Sequence, residues 1–118
     1  MLEAIYIYCM AKQVATEGFP FDEHTLVLKV GGKMFAIISL DDTPQRISLK
    51  CDPERAIELR EQYASITAGY HLNKQLWNTI VMDGEVPLAM LRELVDHSYD
   101  LIVASLPRKK RNEGGPGA

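Results

Sequence analysis

Two hydrophobic periods divide this chain. Between Leu26 and Lys50 the apolar positions suit extended strands, and from Leu88 to Ile102 they recur every three or four residues. The first region reads as three strands. Leu26–Val30 is followed by the pair Gly31-Gly32, whose tolerance of positive φ suits a two-residue hairpin turn. Lys33 to Leu40 returns, Asp41-Asp42-Thr43-Pro44-Gln45 turns again, and Arg46 to Lys50 forms the third strand. The second region reads as a helix opened by Pro87 and stopped by Pro107. Its stripe is Leu88, Leu91, Leu94, Val95, Ser98, Leu101 and Ile102.

The turns set an expected register. Val30 faces Lys33, Leu28 faces Phe35, Leu26 faces Ile37, Ile37 faces Leu49 and Ser39 faces Ile47. Alternation then collects Leu26, Leu28, Val30, Phe35, Ile37, Ile47 and Leu49 on a core face. Leu91, Leu94 and Val95 are expected to pack on Phe35 and Ile37. The other face collects Val27, Met34, Ala36, Ile38 and Leu40 with Lys29, Arg46 and Lys50. A sheet covered on one side is normally polar on the other. A half-apolar, half-basic second face therefore implies a partner, a second copy or a ligand.

The remaining elements follow from local signals. Residues 2–16 read as a helix with Leu2, Ile5, Cys9 and Val14 on one side, broken only at Gly18 and Pro20. Phe19-Pro20-Phe21 reads as a plug fixing that helix against the sheet. Asp52 is an N-cap with Pro53 at N1, and Ala56, Leu59 and Tyr63 make the buried stripe of the helix they open. Ile66–His71 and Trp77–Met82 read as strands. The order is α-β-β-β-α-β-β-α, a two-layer α+β domain with helices on one side of an antiparallel sheet. One domain covers residues 1–107, and the basic, glycine-rich tail 108–118 is expected to be disordered.

Composition narrows the chemistry. The chain has 118 residues, 47% apolar and 25% charged, as in ordinary globular domains. No apolar run approaches the ~20 residues of a membrane helix. The N-terminus lacks the basic region of a secretory signal, so the expected compartment is the cytoplasm. Cys9 and Cys51 are expected to be reduced and buried. No CxxC, HxxxH or HExxH spacing occurs, so no metal and no cofactor is expected. Asp96-His97-Ser98 cannot face one another as helical neighbours and makes no triad. Net charge is −3, but residues 1–107 carry nine basic and fifteen acidic residues, a net −6. Such a body attracts nucleic acid poorly unless a local basic patch or the tail does so.

Several motifs in order resemble one family. They are Phe19-Pro20-Phe21, Val30-Gly31-Gly32-Lys33-Met34-Phe35-Ala36, Leu49-Lys50-Cys51-Asp52-Pro53-Glu54-Arg55-Ala56, Gly69-Tyr70-His71-Leu72-Asn73-Lys74 with Trp77-Asn78-Thr79, and Asp96-His97-Ser98-Tyr99 with Leu106-Pro107. Together they resemble the MmcQ/YjbR family of small bacterial proteins over nearly the whole chain. The resemblance implies an α-β(3)-α-β(2)-α domain similar in architecture to type III secretion chaperones. It also implies likeness to a "double-wing" DNA-binding domain that uses its sheet face, and no catalytic residues.

Three functions are open at this level. The first is DNA binding through Lys29, Arg46, Lys50 and Lys74, helped by Arg108, Lys109, Lys110 and Arg111. The second is a protein-interaction module, homodimeric or chaperone-like, using the apolar part of the same face. The third is a small-molecule enzyme around a polar pocket of His71, Lys74 and Trp77. The expectation is a non-enzymatic protein with no membrane partner.

Overall fold

A computed structural model describes residues 1–69 and 72–107. In chain order the elements are α1 (Leu2–Met10), β1 (Thr16–Gly18), β2 (Thr25–Val30), β3 (Lys33–Ser39), β4 (Arg46–Lys50), α2 (Pro53–Gln62), β5 (Ile66–Ala68), β6 (Trp77–Val81) and α3 (Leu88–Ser105). The six strands form one antiparallel sheet in the order β1-β2-β3-β4-β6-β5. The three helices cover one side of it, giving the expected two-layer α+β fold.

Local chemistry explains most boundaries. Gly31 and Gly32 take φ of 58° and 81°, the turn their sequence calls for. The Asp52 carboxylate accepts from the Arg55 amide at 3.2 Å, and Pro53 begins α2 behind it. The first helix is shorter than its apolar run. It stops at Met10, and Val14 then takes a φ of 55°, uncommon for a β-branched residue. That reversal leads into β1, a sixth strand of Thr-Glu-Gly at the sheet edge with no apolar signal of its own.

The end of α1 and the chain just beyond it are tied to α3. The Tyr8 hydroxyl donates to the Asp96 carboxylate at 2.7 Å, and the Lys12 ammonium pairs with the same group. The Tyr99 hydroxyl donates to the Gln13 carbonyl at 2.8 Å. These contacts, and not Gly18 or Pro20, end the first helix.

The register departs from expectation at two places: a bulge in β3, and the β3–β4 pairing, which joins Ala36 to Leu49 and Ile38 to Ile47 where the turns predict Ile37 with Leu49 and Ser39 with Ile47. Val30 faces Lys33 and Lys29 faces Met34, but Leu28 faces Ala36. Phe35 is the extra residue of a β-bulge. Beyond it the sides exchange. Ala36 and Ile38 go to the helix-covered face and are fully buried, while Ile37 and Ser39 go to the open face. Ile37 is therefore not in the core, and Ala36 and Ile38 are not on the second face. Phe35 itself stays inside, edge-on to Tyr99 with ring centroids 5.4 Å apart. The buried Ser98 hydroxyl donates to the Phe35 carbonyl at 2.6 Å and accepts from the Lys50 amide at 2.9 Å. One serine on α3 thus satisfies backbone groups on two strands where the bulge disturbs the ladder.

The core is continuous. Leu91, Leu94, Val95, Tyr99 and Ile102 of α3 meet Leu28, Phe35, Ile38, Ile47 and Ile80 of the sheet. Cys9 and Cys51 are free and buried. Burial pushes the Cys9 thiol up to about 12 and raises that of Cys51. The sheet ends on both sides in three-residue strands, β1 and β5.

Candidate functional site: the open sheet face

Strand alternation fixes what the uncovered face shows. β2 contributes Thr25, Val27 and Lys29, and β3 contributes Met34, Ile37 and Ser39. β4 adds Arg46, Ser48 and Lys50, and β6 adds Trp77, Thr79 and Val81. The bulge makes this surface richer in hydroxyls and poorer in aliphatic groups than an unbulged hairpin would.

A trough of about 610 Å³ lies on this face. Its floor is Thr25, Ile37, Ser39, Ser48 and Thr79, with Arg46 at one end. The walls are Phe21 and Asp22 from the loop before β2, Asp42 from the turn before β4, and Leu72. The Ser48 and Thr79 hydroxyls bond each other at 2.8 Å across β4 and β6. Asp22 is fixed by its own loop. One carboxylate oxygen accepts from the His24 and Thr25 amides, both at 2.8 Å, and these bonds hold its pKa below the usual range. The Arg46 guanidinium stands 3.8 Å from the Asp42 carboxylate, with both side chains well exposed.

A second hollow of about 410 Å³ adjoins it across β2, lined by Thr16 to Pro20 with Val27 and Lys29. Phe19 and Phe21 do not plug the end of α1. They stand 51% and 63% exposed along the border of this face. The aromatic-proline sequence carried that signal, since it has no helical or strand periodicity to bury it.

The sequence-predicted site residues separate into groups. Lys29, Arg46 and Lys50 do share the open face. Lys74 is exposed in the turn before β6. The Arg60 guanidinium donates to the Lys74 carbonyl at 3.3 Å and to the Asn78 side chain at 2.8 Å, pinning that turn to α2. Trp77 is 9% exposed and packs where a side chain on Gly69 could not fit, since a Cβ there would stand 2.7 Å from the Trp77 Cβ. His71 and Arg108 to Arg111 lie outside the described residues. The amides of this stretch serve structure: Asn73 caps its own turn, and Asn78 donates to the Ala56 carbonyl at 3.2 Å. Among the described residues no group of three His, Cys, Asp or Glu could hold a metal. No described helix is long and apolar enough to cross a membrane.

The YjbR family model matches residues 10–101. The chain belongs to the YjbR family. Within that family it is 38% identical to the YjbR protein of Escherichia coli over 104 residues, 88% of each chain. It is 34% identical to the Escherichia coli protein YbdF over 99 residues, 84% of this chain and 81% of that one. The crystal structure of a DUF419 protein of Deinococcus radiodurans superposes with a TM-score of 0.90 at 40% identity, covering 96% of this chain and 86% of the other. A Pseudomonas syringae protein at 21% identity shares the fold, with a TM-score of 0.74 over 85% of this chain and 97% of its own. The YjbR match takes in the bulge, the trough and the Ser98 clasp, so these belong to the segment that carries the family likeness.

Proposed function

We propose that this YjbR-family chain is a non-catalytic binding module that takes an extended protein segment across its open sheet face. The observation that carries this reading is the trough of about 610 Å³ on the side no described helix covers, with Phe21 63% exposed at its rim. That volume falls in the ~300–1,000 Å³ range of ligand clefts, and exposed aromatic borders mark interaction surfaces. Ser and Thr hydroxyls on the floor suit the amides and carbonyls of a peptide. The test is selection of random displayed peptides on the immobilised domain. Enriched peptides should bind the wild type and lose binding to Ile37→Glu, which puts a charge on the trough floor. Equal recovery on both proteins would overturn the reading. A dimer in light scattering that Ile37→Glu dissociates would assign the face to a second copy instead.

Nucleic acid is the second reading, and one observation favours it: Lys29, Arg46 and Lys50 share the open face. Phosphate contacts release counterions, so log affinity falls with log salt at a slope of about −0.9 per phosphate. Replacing the three by alanine should flatten that slope by about three units. A slope flattened only by removing residues 108–118 would place the contact in the basic tail. No duplex binding at low salt would end this reading.

A further inference from the structure

The charges on the open face are sorted by end. β4 runs the length of the face, with Arg46 at one end and Lys50 about 13 Å away at ~3.3 Å per residue. At the Arg46 end, Asp22 and Asp42 line the trough, and Glu23 and Asp41 flank them. The basic groups there are Arg46, already beside Asp42, and His24. At the Lys50 end the register brings Lys29 to the same level, two strands and about 10 Å across the sheet. Lys74 stands in the turn before β6, whose first residue, Trp77, faces Lys50. Among the described residues these three lysines form no ion pair. Of the nearby acids, Glu17 accepts from the Tyr6 hydroxyl at 2.8 Å and Asp52 caps α2 by accepting from the Arg55 amide at 3.2 Å. Ile37 lies between the two ends, bordered by Phe21.

From this arrangement we infer that the occupant of the face is an extended peptide segment of opposed charge, with a cation at the acidic end, an anion about four residues away at the lysine end, and uncharged residues between. This rests on the protein-segment reading above and adds the partner's chemistry. Charge complementarity selects it. A polyanion carries one sign along its whole length, so it gains at Lys29 and Lys50 and is repelled at Asp22 and Asp42. A segment bearing both signs gains at both ends.

The experiment is a nitrogen-15 amide NMR titration with four capped pentapeptides: Lys-Val-Thr-Val-Glu, Glu-Val-Thr-Val-Lys, Lys-Val-Thr-Val-Lys and Glu-Val-Thr-Val-Glu. At least one of the two mixed-charge peptides should move the amides of Thr25, Ile37, Ser48 and Thr79. It should bind about five-fold tighter than either uniform peptide, the size one exposed ion pair can supply. The Lys29→Glu/Lys50→Glu variant should shift preference to Lys-Val-Thr-Val-Lys. Equal or tighter binding of Glu-Val-Thr-Val-Glu by the wild type, or no shifts with any peptide at millimolar concentration, would overturn the inference. Phe21→Ala and Ile37→Glu separate it from the reading beneath it. If both abolish the shifts while all four peptides bind the wild type alike, the surface docks segments without sorting charge. If neither variant changes the shifts, the face is not the docking surface at all. Phe21 is well exposed, so its variant keeps the fold even if a charge at Ile37 disturbs it.

Discussion

The two faces of one sheet are built from the same strands and follow opposite rules. Ile37 and Ile38 are neighbours in β3, yet Ile38 is sealed beneath the helices and Ile37 floors an open trough. On the covered face the polar groups are paired and few. Ser98 serves two backbone partners there, and Asn78 is shared between Arg60 and the Ala56 carbonyl. On the open face exposed aromatic rings and lysines without ion-pair partners among the described residues remain available. The difference shows where this fold places stability and where it leaves surface free for contact.

The sharpest test of that contrast is the adjacent pair. Ile38→Ala should cost ~2–5 kcal/mol in urea unfolding, as for a fully buried aliphatic side chain. Ile37→Ala should cost about 1 kcal/mol, the ordinary size for a partly buried position. Equal costs would mean that the bulge does not exchange the sides. Next in size, Ser98→Ala should cost ~1–3 kcal/mol, because it leaves the Lys50 amide and the Phe35 carbonyl without their partner. A neutral result would mean that the clasp between α3 and the bulge contributes nothing.

A pH test probes the covered side at its margin. His97 accepts a hydrogen bond from the Asp52 amide at 3.1 Å, so its Nε2 is unprotonated in that state. Burial, and then the nearby Arg55, lower its pKa from the usual value. The unfolded chain therefore takes up the proton first as pH falls. The contribution of His97 is complete above about pH 6.5 and is lost as pH drops through the lowered folded value. Stability should decline across that window, and His97→Gln should remove this part of the slope. An unchanged slope would show that the imidazole is protonated in the fold. The smallest effect belongs to the open face: Phe21→Ala should stay within about 0.5 kcal/mol of wild type, as expected for an exposed residue. A larger loss would return Phe21 to the core.

Much of this contrast was legible in the sequence. The Gly31-Gly32 turn, the Asp52-Pro53 helix start and the α3 stripe are local signals, and each element formed where its signal lay. The register beyond Phe35 was not legible. Met34 to Ile38 is apolar at every position, so alternation has no polar residue to mark a side, and one extra residue exchanges the rest of β3. β1 was missed because Thr16-Glu17-Gly18 carries no strand chemistry and is recruited by pairing with β2. The three cations of the candidate site survived because Lys29 lies between the Gly31-Gly32 turn and the bulge, and because β4 pairs one residue off its expected register, which restores its sides. The hydroxyl floor did not, because Ser39 and Ile37 change sides with the bulge.

The three-residue strands at both margins bear on how this protein behaves when concentrated. An open sheet with a long free edge recruits the edges of other copies and grows into fibres. Here β1 offers Thr, Glu and Gly, and β5 offers Ile, Thr and Ala. Neither margin is long enough to template a stack, and the charge of Glu17 discourages one further. The chain can therefore leave a broad, sticky sheet surface uncovered in a crowded solution without polymerising through its rims.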